Sequence, residues 1–161
     1  MKKLKVYLDT SVISYLYQND APEKMADTLA LWDLFEKEIY EIYISDVVLE
    51  EIYHCNEHKL NVLLDYLDRV KINVLKTDKN TMALAEKFID FGILKKKSLD
   101  DCQHISAAIL GGCDIITSWN FKHIVNIKTA KGVKVITTLE GYKDILIYPP
   151  SALLEGVEED E

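Results

Sequence analysis

Polar oxygens recur at four places where an apolar run gives way. Asp9 closes the apolar stretch 4–8 in "KVYLDTS" and is followed by Thr10 and Ser11. Glu50 and Glu51 lie in "DVVLEEIYHC", directly after the β-forming run "EIYIS". Asp100 and Asp101 precede "CQHISAAIL", and Asn120 stands just beyond "CDIITSW". Gathered in one crevice, such groups would be hard oxygen ligands, which Mg²⁺ and Mn²⁺ prefer. A cation held there lowers the pKa of water and neutralises charge developing on a phosphodiester. A lone Asp before Thr and Ser reads equally well as a helix N-cap or a turn residue, so the set of four carries the reading.

The elements that must position these residues follow from periodicity. Strands are expected at 4–8, 41–45 and 72–75, and across the nearly continuous apolar run "CDIITSW", which reads as a strand buried on both faces. "GVKVITT" is expected as a last core strand and "ILIY", before Pro149, as an edge strand. Helical spacing is expected over 11–17 with Thr10 or Ser11 as cap, and over 24–39, 46–55, 61–70, 81–91 and 102–110. Ser45 or Asp46 can cap the third of these, Asp78 the fifth, and Gly92 suits the end of that helix. Strands alternating with helices predict an α/β three-layer sandwich with a mostly parallel central sheet flanked by helices. Residues 1–150 read as one domain, and 151–161, ending in "EGVEEDE", as an acidic tail that frays. Under this layout the four polar groups fall at strand ends or helix starts, where open parallel sheets collect functional groups.

Bulk composition narrows the function. At 161 residues, 48% hydrophobic and 29% charged, the chain can bury a core without staples. No apolar run approaches the roughly 20 residues of a membrane span and no signal-peptide core opens the sequence, so a cytoplasmic protein with no membrane partner is expected. Cys55, Cys102 and Cys113 lack C-x-x-C spacing, which predicts reduced thiols rather than disulfides or zinc. A net charge of −8 argues against a broad nucleic-acid surface but leaves room for a metal to supply local positive charge. The chain has neither G-x-x-x-x-G-K-[ST] nor G-x-G-x-x-G, and it lacks a receiver's acid arrangement, which argues against a nucleotide or receiver domain.

"YLDTSVIS", "ISDVVLEEI", "DDCQHISAAILGGCDIITSWNFKHI" and "GVKVIT", in this order, resemble a PIN domain, the metal-dependent ribonuclease fold of VapC-type toxins. The resemblance runs over about 4–148. It implies Asp9, Glu51 and Asp101 as the first three acids, ligands to Mg²⁺ or Mn²⁺, with Glu50 the neighbour of the second and Asp100 a cap or outer group. Ser118 and Asn120 match the hydroxyl and fourth acid of the family's T/S-x-D element. Asn120 departs from that pattern: it offers an amide oxygen but no charge, so one ion is better supported than two. The resemblance further implies hydrolysis of an RNA phosphodiester, homodimerisation and a cognate antitoxin. The alternative it leaves is a weakly active or inactive PIN-like RNA-binding or regulatory protein.

Other polar residues stand near these motifs. His104, three residues after Asp101, shares its helix face and is a candidate for contacting the scissile phosphate or a ligated water. Ser11, His104, Ser118 and Lys122 complete the expected substrate-binding set. Lys122 or His123 would neutralise a phosphate, and 95–97, "KKK", would meet the RNA backbone. Trp119 is either core packing or a stacking surface for a base. His54 and His58 have metal-ligand spacing but no third ligand.

Overall fold

The computed structural model describes residues 2–158, and the acids are set by how its central strand ends. Strand β1 (Lys5–Leu8) is buried from Val6 onward and runs into helix α1 (Thr10–Ser14), which a 3-10 turn at Tyr15–Tyr17 extends. Then follow α2 (Pro22–Glu36), β2 (Glu41–Ser45), α3 (Asp46–Ile52), α4 (Glu57–Asp68), β3 (Ile72–Leu75) and α5 (Lys79–Asp90). A 3-10 turn at Lys96–Ser98 enters α6 (Leu99–Leu110), followed by β4 (Ile115–Thr117), α7 (Ile127–Glu140), β5 (Leu146–Tyr148) and α8 (Pro150–Glu158). The sheet order is β3-β2-β1-β4-β5 with every pair parallel. Helices flank it in a three-layer α/β sandwich.

This order makes β1 the central strand, with the chain leaving toward β2 and returning later to β4. Tyr7 pairs with Ile116 and Leu8 with Thr117, so β1 and β4 end side by side. Their C-terminal ends mark the topological switch point of this parallel sheet, the place where open parallel sheets form their ligand crevices. Asp9 follows β1 and Ser118 to Asn120 follow β4, so the sheet's wiring delivers both groups to one place.

Local rules account for most boundaries. Asp78 caps α5 in a reciprocal box with Thr81, Asn56 caps α4, and Pro22 occupies the first turn of α2. Gly92, at φ +73°, lets the chain turn back after α5, and its neighbours Ile93 and Leu94 close onto the Phe88 carbonyl. Among the described residues, no helix is long and apolar enough to cross a membrane.

Three expectations are corrected. "GVKVITT" is not a strand but part of α7, in which Thr129, Val133, Ile136 and Thr137 bury one face at helical spacing. Their β-branched types suggested a strand; their 4-3-1 spacing fits a helix, and packing onto the core decides in its favour. Residues 150–158 are helical rather than frayed, since Pro150 starts α8 and Leu153 is buried against the core beside α2; residues 159–161 lie outside the described residues. The cap of α1 is Asp9, not Thr10 or Ser11.

Gly132 explains how α7 lies so close to the loop after α5. A Cβ there would stand 2.4 to 2.8 Å from the side-chain carbons of buried Ile93. Gly132→Ala is expected to lower stability by about 1–3 kcal/mol through this overpacking, despite the better helix propensity of alanine. Urea unfolding of the two proteins measures it. The cysteines give a second test. Cys102 and Cys113 are buried, which pushes both thiols up to about 12, whereas Cys55 is half-buried. At pH about 8, a disulfide reagent is expected to titrate Cys55 alone, the other two thiols reacting only on unfolding.

Candidate metal-dependent active site

Asp9 is both a helix cap and a buried acid. Its Oδ1 accepts from Ser11 Oγ at 2.6 Å and from the Val12 backbone N–H at 3.3 Å, and its Oδ2 accepts from Ser118 Oγ at 2.6 Å. It is only 3% exposed. Burial raises its pKa above the ordinary carboxylate value, and the charge of His104 with the bonds from Ser11, Ser118 and Val12 offsets only part of that rise. Ser11 also accepts the Trp119 N–H and Ser118 the Asn120 N–H, so the two hydroxyls tie the end of β4 to the start of α1.

Glu51, in the last turn of α3, reaches the same region. Its Oε1 accepts from Thr10 Oγ1 at 2.7 Å and lies 2.6 Å from His104 Nε2. The other His104 nitrogen, Nδ1, is 2.8 Å from Tyr7 Oη, which is 2.8 Å from Ser45 Oγ. Burial pushes the His104 pKa down, but its bond to Glu51 and the charges of Asp9, Glu51 and Asp101 outweigh this and leave it raised. For Glu51 burial acts upward, yet His104 and Thr10 hold the carboxyl below its usual value. The two shifts are complementary, each favouring the charged form of its group. At 3% exposure His104 is buried, with its two ring nitrogens facing Glu51 and Tyr7.

Asp101, in the first turn of α6, completes the cluster. Its Oδ2 is 3.0 Å from His123 Nδ1, and its Oδ1 accepts from Asn120 Nδ2 at 3.3 Å. Asn120 Oδ1 in turn accepts the His123 N–H at 2.9 Å. Burial raises the Asp101 pKa and Asp9 raises it further, against His123 and His104. The amide of Asn120 thus gives Asp101 a donor where a fourth carboxylate would repel it.

The remaining candidates separate clearly. Glu50 and Asp100 line an open depression of about 520 Å³ beside Glu51, with His54, and neither bonds to the cluster among the described residues. Trp119 is 7% exposed and its Nε1 donates to Thr28 Oγ1, which makes it a packing residue. Lys122 is exposed in a separate cleft. Cys55 and His58 are engaged elsewhere, with the Ile52 carbonyl and Tyr17. Tyr7 and Ser45 belong to the site's support and were not expected there from sequence, whereas Thr10, expected beside Asp9 as a helix cap, donates to Glu51. The signal for Tyr7 is a hydroxyl-tipped residue in the middle of a fully buried strand, which needs a polar partner.

The donor set of Asp9, Glu51, Asp101 and the Asn120 amide fits a hard divalent ion in kind and in charge. The raised pKa values of Asp9 and Asp101 mark acids that a nearby cation would relieve. As the side chains stand, no group of three or more His, Cys, Asp or Glu among the described residues is gathered so that it could hold a metal ion. Glu51 and Asp101 are turned instead to His104 and His123.

The PIN domain model matches residues 6–120, from β1 through Asn120 and including every acid of the cluster. The chain belongs to the PIN domain family. Its fold is similar to that in the crystal structure of VapBC2 from Rickettsia felis bound to a DNA fragment from their promoter, at 16% identity. That likeness has a TM-score of 0.55 and covers 91% of this chain and 98% of the other. No curated protein matches the chain.

Proposed function

We propose that the chain is a metal-dependent endoribonuclease and the toxin of a toxin-antitoxin module, acting in the cytoplasm. The observation that carries this is the convergence of Asp9, Glu51, Asp101 and Asn120 at the switch-point crevice of a PIN fold. Asp9, Glu51 and Asp101 would hold Mg²⁺ or Mn²⁺, which when bound supplies a water of lowered pKa and neutralises charge on the phosphodiester. Ser11, Ser118 and the Val12 N–H keep the Asp9 oxygens in one orientation. His104 and Thr10 hold the Glu51 carboxylate in the same way. Water would attack phosphorus and give up one proton to solvent, the P–O3′ bond would break, and O3′ would leave as a hydroxyl after taking a proton from solvent.

The similarity to VapBC2 supports an antitoxin partner, and the acidic depression beside Glu51 suits a basic segment of it. Helix α7 leaves Ile127, Val135 and Leu139 exposed at spacings of eight and four, a surface consistent with homodimerisation. The test is incubation of wild type with a mixed single-stranded RNA pool and Mg²⁺ or Mn²⁺. Fragments bearing 5′-phosphate and 3′-hydroxyl ends, absent with EDTA, are expected. The amide at position 120 favours a second reading, an RNA-binding PIN protein that no longer cuts; stable RNA binding with no cleavage under either metal would select it.

A further inference from the structure

We propose that the turn 119–123 seats single-stranded RNA beside the acids, its phosphates in a lysine-lined cleft and one unpaired base on Phe121; this rests on the ribonuclease reading. Lys95, Lys97, Lys122 and Lys128, with His123, line one cleft of about 220 Å³. They come from the segment before α6, the turn after β4 and the first turn of α7, and no acid lines the cleft. In a chain of net charge −8, Lys87, Lys134 and Lys143 are paired with acids. The four cleft lysines have no such pair among the described residues, so they form an unneutralised basic patch of the kind that binds a polyanion. The first turn of α7, from which Lys128 comes, is also free of acids. His123 is the link to the site, because it lines the cleft and bonds Asp101.

The residue before Lys122 supplies the second contact. Phe121 is 47% exposed, with Trp119 beside it at a ring separation of 6.4 Å and held from behind by its bond to Thr28. Lys24 Nζ stands 5.6 to 5.7 Å from the rings of Tyr15, Trp119 and Phe121. An open aromatic ring flanked by a cation is a surface for an unstacked base and its phosphate, and a base in a duplex cannot reach it. Phe121 and Lys122 thus place the two contacts on adjoining residues of one turn, with Asn120 next to them against Asp101.

The experiment measures anisotropy of a labelled short single-stranded RNA bound to the full chain carrying Asp9→Asn, with Mg²⁺ present. Replacing Lys95, Lys97, Lys122 and Lys128 with Gln is expected to weaken binding about tenfold or more and to reduce the salt slope by about 2 to 3 between about 50 and about 200 mM. Phe121→Ala is expected to weaken it about fivefold or more with the slope unchanged, and Phe121→Trp to restore it. Replacing Lys2, Lys3, Lys37 and Lys71, which precede the strands, removes the same charge and is expected to change binding less than about twofold.

The proposal is overturned if the cleft variant binds like this control, if Phe121→Ala binds like its parent, if duplex RNA binds as tightly, or if polyglutamate competes as well as RNA. The last result would assign the cleft to an acidic protein segment. Cleavage by wild type is scored separately. Binding through these residues without cleavage retains this inference and removes the nuclease reading, while cleavage indifferent to the variants does the reverse.

Discussion

Asp9→Asn is expected to lower RNA cleavage by about a thousandfold or more, the scale of several kcal/mol of lost metal-derived stabilisation, while leaving the protein as stable as wild type or more so. The opposite signs follow from one fact. Asp9 is almost fully buried and its pKa is raised mainly by that burial, so the folded protein binds its proton more tightly than the unfolded chain does. Stability contributed by this group is therefore lost as pH rises from its unfolded value through its folded value. The amide has nearly the same shape and keeps an oxygen for Ser11 and the Val12 N–H, while the Ser118 hydroxyl must turn. Thermal unfolding across pH without added metal, read beside the cleavage rate, separates the two effects.

His104→Ala is expected to be the most destabilising single change in the site, by about 2–4 kcal/mol. It leaves a cavity, a buried Tyr7 hydroxyl that keeps its bond to Ser45 but loses the one to His104, and a Glu51 carboxylate without its cation. The partial exposure of Glu51, 35% at the side chain, holds the cost below that of a fully buried pair. The dependence on pH is fixed by the two shifts. The raised His104 pKa contributes stability in full below the ordinary value of about 6.5, and this is lost as pH rises through the folded value. The lowered Glu51 pKa contributes above its ordinary value of about 4.3, and this is lost as pH falls through the folded value. The gap between wild type and variant should therefore be widest between about pH 4.3 and 6.5 and shrink on either side. A gap that does not vary with pH would show that His104 only fills space.

Asp9 and Asp101 were legible in the sequence because each sits at an element boundary, and boundaries are where apolar periodicity stops. Glu51 could be told from Glu50 only through the family motif, since both lie on α3 and spacing alone does not say which bonds Thr10 and His104. The four strands before α7 were readable from their apolar runs. Helix α7 was not, because Val, Ile and Thr in 132–138 carry β propensity and the decisive term, burial of one helical face against Ile93 and the core, is tertiary. The same holds for α8, where acidic composition hid the buried anchor Leu153. His104 was placed on the correct helix face, but its depth depends on Tyr7 from β1. The lysine cleft joins Lys95 and Lys97 to Lys122 and Lys128 across β4, a pairing that chain topology makes and linear spacing does not.

The measurement that bears most directly on the central claim is Mn²⁺ binding followed by electron paramagnetic resonance, on wild type and on Asp9→Asn, Glu51→Gln and Asp101→Asn. If the acids of β1, α3 and α6 form one hard-cation site, wild type takes up Mn²⁺ saturably, Mg²⁺ displaces it, and each of the three substitutions weakens uptake by about tenfold or more. Wild type showing no saturable uptake, or uptake that all three substitutions leave unchanged, would contradict the assignment of this crevice as a metal-dependent active site.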